Sequence, residues 1–203
     1  MNKINYQLAL DREIEEIKNN GRVPTLLLHS CCGPCSSYVL EYLTKYFDVT
    51  VLYFNPNIYP AEEYEHRLGE QRRIISLLPT EHSVKFLECE YDHEQFIEAA
   101  KGYEQEREGG LRCEKCFYLR LERTALEAKK HGFDYFTTTL SVSPHKNSQI
   151  LNRIGEEMGE KYGVCHLPAD FKKREGYKRS IELSKQYGLY RQDYCGCEFS
   201  KQG

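Results

Sequence analysis

The 203-residue sequence contains no tryptophan and only two methionines. It also lacks any apolar run approaching the roughly 20 residues that a membrane-spanning helix needs. No sign of charge dominates: 28 Lys and Arg stand against 31 Asp and Glu, a net charge of −3. Nothing global therefore marks a nucleic-acid binder, and any such surface has to be a local one. The first twenty residues lack the basic start and apolar stretch of a signal peptide. They are acidic and amphipathic instead, with Leu10, Ile14 and Ile17 on one helical face. A cytoplasmic, reducing location is the expectation. With 40% hydrophobic and 29% charged residues the composition is that of an ordinary globular protein. A chain of this length buries a core without cross-links.

Against these absences stand nine cysteines. In a reducing compartment clustered thiols point to metal or catalysis rather than disulfides. Seven of them form three groups: Cys31, Cys32 and Cys35; Cys113 and Cys116; Cys195 and Cys197. Two C-x-x-C pairs suit zinc, which takes four thiolates, but seven thiols exceed one zinc. An iron–sulfur cluster also takes four and leaves three for a second metal or for direct chemistry. Iron–sulfur, zinc and free redox thiols all stay open on spacing alone. Cys32-Gly-Pro-Cys35 is also the dithiol tetrapeptide of thioredoxin-like proteins. Cys31 occupies the place where such proteins carry tryptophan, however, and a dithiol exchanger has no use for five further thiols. Cys89 and Cys165 have no thiol neighbours and read as small hydrophobes.

The chain is organised around residues 24–40. Leu26 to Leu28 is too short an apolar run for a helix and suits a buried strand. Pro34 fits the first turn of a helix, and Val39, Leu40 and Leu43 continue at helical spacing. Strand, tight turn and helix put three thiols where an open α/β sheet presents ligands, beyond the carboxyl end of a strand. Further strands are expected at Asp48–Asn55, Val84–Leu87 and Asp134–Thr139. Helices are expected at 4–19, Ala61–Leu78, Asp92–Ala100, Arg112–Lys130 and Lys146–Tyr162, with a short one ending at Tyr187. The stretch Glu104–Gly110 reads as polar and mobile. The alternation implies parallel βαβ units and a layered α/β sheet. The expected organisation is an N-terminal helical extension over residues 1–20 followed by a single α/β domain over 21–203.

His29 ends the first strand, as a satisfied core histidine or a site residue. His145 follows Pro144 after the fourth strand and is a site candidate. The basic segment 171–179 is a solvated loop or a phosphate contact, with Tyr177 available to stack on a base.

Six ordered motifs carry a resemblance over residues 22–198. They are His29-Ser-Cys-Cys-Gly-Pro-Cys-Ser36; Phe54-Asn-Pro-Asn-Ile-Tyr-Pro60 with Glu63, Tyr64 and Arg67; and Arg112-Cys-Glu-Lys-Cys116. Thr139-Leu-Ser-Val-Ser-Pro144, Phe171-Lys-Lys-Arg-Glu-Gly-Tyr-Lys-Arg-Ser180 and Tyr190-Arg-Gln-Asp-Tyr-Cys-Gly-Cys197 follow. Together they resemble the QueH family of epoxyqueuosine reductases. The resemblance implies an adenine-nucleotide-hydrolase-like (HUP) domain, Rossmann-like, with a cysteine-rich metal site at the carboxyl ends of the strands. It implies a 4Fe–4S cluster with an additional mononuclear iron. The reaction it implies is reduction of the epoxide of epoxyqueuosine at the wobble position of tRNA, the last step of queuosine synthesis. Family members carry a carboxylate or a thiol at the position of Cys35, and this chain has the thiol. Thiols replace the phosphate-cradling glycines of ATP-binding HUP loops, so ATP binding is expected to be lost.

Seven metal-ligand candidates follow: Cys31, Cys32, Cys35, Cys113, Cys116, Cys195 and Cys197. The expected division puts Cys32, Cys113, Cys116 and Cys195 on the cluster, and Cys31, Cys35 and Cys197 nearer the second iron. Cys31 and Cys35, with Tyr194, Asp193 and His29 as proton donors, are the catalytic candidates. Asn55, Asn57, Lys172, Lys173, Tyr177 and Arg179 are the candidates for holding tRNA. A ferredoxin- or flavodoxin-like electron donor completes the partners, and no membrane is expected. Two other classes compete: a zinc-stabilised tRNA-binding module, and a dithiol oxidoreductase acting through Cys32 and Cys35.

Overall fold

Side chains alternate across a strand, and the first strand is apolar on both sides. In β1 (Thr25–His29) Leu26 and Leu28 enter one core while Leu27 enters the other. In β2 (Asp48–Leu52) Val49 and Val51 join the first core and Leu52 the second. A strand buried on both faces needs helices on both faces, and the computed structural model, which describes residues 3–200, supplies them.

β3 (Lys85–Leu87), β4 (Tyr135–Thr138) and β5 (Cys165–His166) complete a five-stranded sheet in the order β3-β2-β1-β4-β5. Every pairing is parallel. The first core takes the apolar sides of α1 (Tyr6–Asn20), α2 (Gly33–Leu43) and α3 (Ala61–Leu77). The second takes α5 (Leu111–His131) and α6 (Ser148–Tyr162). α4 (His93–Ala100) packs on α5, and α7 (Gly176–Gln186) on α2. The chain leaves β1 toward β2 on one side and returns to β4 on the other. This reversal opens a crevice at the carboxyl ends of β1 and β4.

The expected layered α/β fold is present. β2 ends at Leu52 rather than at Asn55, because side chains claim the carbonyls beyond it. Tyr64 Oη donates to the Tyr53 carbonyl and His29 Nε2 lies 3.0 Å from that of Phe54. β5, only two residues long, carries too little pattern to read from sequence. The Glu104–Gly110 stretch is stitched to α5: Arg112 donates to the carbonyls of Glu104 and Glu106, and Gly109 N–H to Cys113 Sγ. The basic segment is divided, since α7 begins at Gly176 and takes Tyr177 and Arg179 with it. α1 buries Leu10, Ile14 and Ile17 in the same core as β1 and α2. Each such side chain contributes about 1.5–3 kcal/mol.

Candidate active site

The loop after β1 carries the first thiol set. Cys32, in extended backbone, caps α2 with no side-chain hydrogen bond, and Pro34 occupies the first helical turn. The positive end of α2 therefore lies at the thiols. The Sγ atoms of Cys31, Cys32 and Cys35 all fall within 4.8 Å of one another, with Cys31 and Cys32 3.7 Å apart. Thr139, just past β4, holds Cys31 from across the crevice. Its Oγ1 accepts from Cys31 N–H at 3.1 Å and donates to Cys31 Sγ at 3.3 Å. Hydrogen bonds from Cys32 and Cys35, aided by Arg120 and Lys146, hold the Cys31 thiol well below its ordinary range. The hydrogen bond to Cys31 in turn pushes Cys32 up to about 12 and Cys35 well upward, with burial adding to both.

The second set is assembled from distant segments. Cys113 and Cys116 stand on the first two turns of α5, and Cys195 and Cys197 come from the C-terminal tail. These four line one small cavity. Gly196, at φ 98°, turns the tail so that the Cys195 and Cys197 thiols interact by a hydrogen bond. A Cβ there would meet Ile58 at 2.8 Å, so the tail lies directly on the 55–60 loop. The Cys197 hydrogen bond, opposed by burial and helped by the charge of Lys146, lowers Cys195 to about 4. Each set thus keeps one thiol strongly acidic beside neutral ones. All nine cysteines are free.

Cys195 also borders a larger cavity of about 430 Å³ that opens over Cys31, Cys32 and Cys35. The two sets therefore adjoin. The structure brings Cys32 together with Cys31 and Cys35, and lines one cavity with Cys197, Cys113, Cys116 and Cys195. One tight turn fixes the first three together, and the Gly196 turn forces the tail pair to act together.

Two cations line both cavities, Arg120 and Lys146. Arg120 is 3% exposed, and donates to Asn55 Oδ1 at 2.6 Å and toward Cys116 Sγ at 3.9 Å. Its Nε lies 3.2 Å from His29 Nε2. Burial opposes the charge of half-buried Lys146, but the negative charges of Cys195 and Cys31 outweigh it and raise its pKa. Arg112, 2% exposed, borders the four-thiol cavity. Arg67, also 2% exposed, borders the larger one and lies 5.0 Å from the Tyr194 ring centre.

The remaining candidates are dispersed. His29 is fully buried at the crevice floor, 2.8 Å from Thr138 Oγ1; desolvation, then the Arg120 charge, lowers its pKa to about 3. Asn55 and Asn57, expected to face the substrate, are 1% and 2% exposed. Asn55 Nδ2 donates to the Ser30 carbonyl at 2.8 Å, and Asn57 Nδ2 to the Cys195 carbonyl at 3.4 Å. Tyr59 N–H donates to the Gly196 carbonyl and Tyr194 Oη to the Tyr59 carbonyl. The 55–60 loop is therefore the clamp that seats the C-terminal thiols. Tyr194, Asp193, Tyr177 and His145 line the larger cavity. Lys172 pairs with Asp170, and Arg179 grips Glu41 through two hydrogen bonds on the α2 side. Lys173 is exposed beside them.

Arg120 and Lys146 border the thiol sets and Thr139 contacts Cys31, but none of the three is among the candidates that the sequence offers. Arg120 follows Arg112 and Cys116 at four-residue steps along one face of α5. A charged residue on a face that also carries Phe117 and Leu121 was the signal available, because buried charge requires a partner.

A family model described as Epoxyqueuosine reductase QueH matches residues 26–203. Curated relatives carrying the same description are similar along most of the chain. One from Staphylococcus epidermidis is 46% identical over 207 aligned residues, covering 99% of this chain and 87% of the relative. One from Streptococcus pyogenes is 42% identical, covering 98% and 78%. One from Thermotoga maritima is 40% identical, covering 87% and 90%. With the match spanning the turn of β1, the start of α5 and the C-terminal tail, the chain belongs to the epoxyqueuosine reductase QueH family.

Proposed function

We propose that this protein reduces the epoxide of epoxyqueuosine in tRNA to the cyclopentene of queuosine, with a 4Fe–4S cluster and an additional mononuclear iron as cofactors. The observation that carries this reading is the pair of adjoining thiol sets around one cavity, with Arg120 and Lys146 between them. The donors suit such groups. Four thiols satisfy a cluster, and three leave room for an outside ligand on a second metal. Neither Arg120 nor Lys146 forms an ion pair with a carboxylate among the described residues, and cations so placed fit an anionic, thiolate-held occupant. Cys113, Cys116, Cys195 and Cys197 would hold the cluster, and Cys31, Cys32 and Cys35 the iron. Bound there, the two groups supply single electrons and a Lewis-acidic position for the epoxide oxygen.

The overall change breaks both C–O bonds of the epoxide, forms a C=C bond and releases water, consuming two electrons and two protons. A ferredoxin- or flavodoxin-like protein in the cytoplasm supplies the electrons in this reading. A volume of about 430 Å³ suits one nucleoside flipped out of an anticodon loop. Tyr177, 37% exposed at the cavity wall, is placed to stack on a base. His145 and Arg191, exposed on the same wall, are assigned to flanking phosphates, and exposed Lys173 is assigned with them. Asp193 and Tyr194 line the cavity and are assigned to proton delivery. His29, neutral and covered by Arg120, is assigned to holding the floor.

The test is anaerobic incubation of reconstituted protein and a strong reductant with tRNA bearing epoxyqueuosine, followed by mass analysis of the nucleosides. The expected result is queuosine, one oxygen lighter than the starting nucleoside. Fully loaded protein that leaves the epoxide intact would overturn the proposal.

A further inference from the structure

Arg120 and Lys146 are the lysine and arginine side chains common to both thiol cavities among the described residues. The hydrogen-bond partners of Arg120 include no carboxylate: they are His29, Asn55 and Cys116. Lys146 lines both cavities, as does Cys195. Glu108 borders the same cavities but is exposed and pairs with neither cation. An enclosed cation without a carboxylate is costly unless an anion accompanies it. A thiolate-held iron group gains a negative charge each time it is reduced. A fixed cation a few ångströms away, in a region screened from water, stabilises that added charge more than the oxidised state.

We propose that Arg120 and Lys146 are positioning residues that raise the reduction potential of the group held by Cys113, Cys116, Cys195 and Cys197. This rests on the proposed function above. Both side chains also face the three-thiol set, so the same two charges bear on the electron-carrying and the oxygen-binding side of the site.

The test is a redox titration of the full chain, reconstituted with iron and sulfide and followed by electron paramagnetic resonance of the reduced state. R120Q and K146Q are expected to load iron and sulfide as the parent does and to titrate at more negative potentials. The double variant is expected to shift farther, and R120K to stay closer to the parent than R120Q. K161Q, which removes an exposed lysine paired with Glu122, is expected to leave the potential unmoved. Loaded R120Q and K146Q titrating at the parent potential would overturn the proposal. If buried Arg120 proves necessary for folding, K146Q decides alone, and an unshifted K146Q overturns it. A parent protein that takes up no sulfide removes the underlying function reading, and this inference with it, a result distinct from a loaded parent with unshifted variants.

Discussion

The two thiol sets are built in opposite ways. Cys31, Cys32 and Cys35 lie within five consecutive residues, on one strand-to-helix turn anchored by β1 and α2. Cys113 and Cys116 sit one helical turn apart on α5, and their companions arrive from a C-terminal tail that has no place in the sheet. The first set is fixed by local geometry and needs one outside contact, Thr139. The second exists because the 55–60 loop, buried over residues 55–58, grips the tail at Gly196, Cys195 and Tyr194. A local turn tolerates loss of distant parts, whereas a site closed by a tail depends on every contact that seats the tail.

The largest expected effect is on turnover. C195S removes the thiol that borders both cavities and should bring reduction of epoxyqueuosine to background. C35S should do the same by a different route, losing the three-thiol metal while the protein stays coloured. Visible spectra of the two variants under anaerobic conditions separate these routes.

Next comes T139V, which removes the hydroxyl that both accepts from Cys31 N–H and donates to its sulfur. Partners of this kind are worth about 10–100-fold in metal affinity. The expected result is iron lost from the local set alone, measured by competition with a chelator, with sulfide content unchanged. Equal losses from both sets would show that the sets are not independent.

A smaller effect is expected at the RNA-facing wall. R191Q should raise the KM for tRNA severalfold and reduce the slope of log affinity against log salt by about 1. The smallest concerns Arg179. Its guanidinium is engaged with Glu41 and Glu182. Loss of a half-exposed pair of this kind costs about 0.2–1 kcal/mol. R179Q should therefore lower the melting temperature slightly and leave the KM as it was. A KM rise in R179Q matching that of R191Q would extend the RNA surface onto α7.

The same contrast explains what the sequence disclosed. The three leucines of β1, Pro34 and the close cysteines specify strand, turn and helix through nearest neighbours, so the fold class and the first thiol set could be read directly. The grouping of Cys197 with Cys113 and Cys116 depends on the Gly196 turn and the 55–60 loop, which no local pattern expresses. Asn55 and Asn57 are candidates for holding tRNA in the sequence. They are buried because that loop meets carbonyls of Ser30 and Cys195 from distant segments. Arg179 is a phosphate-contact candidate in the sequence, and its pairing with Glu41 across α7 and α2 is a contact that no local pattern expresses. Arg120 was hidden in a helix that shows its cysteines more plainly than its charge.

Metal analysis of two variants tests most directly whether the two thiol sets hold different groups. Iron and acid-labile sulfide would be counted per chain in anaerobically reconstituted parent, C113S and C35S proteins. The account predicts about four sulfides and about five irons in the parent. C113S should lose most of the sulfide, and C35S should keep the sulfide and lose about one iron. Zinc without sulfide in the parent, or the same loss in both variants, would contradict it.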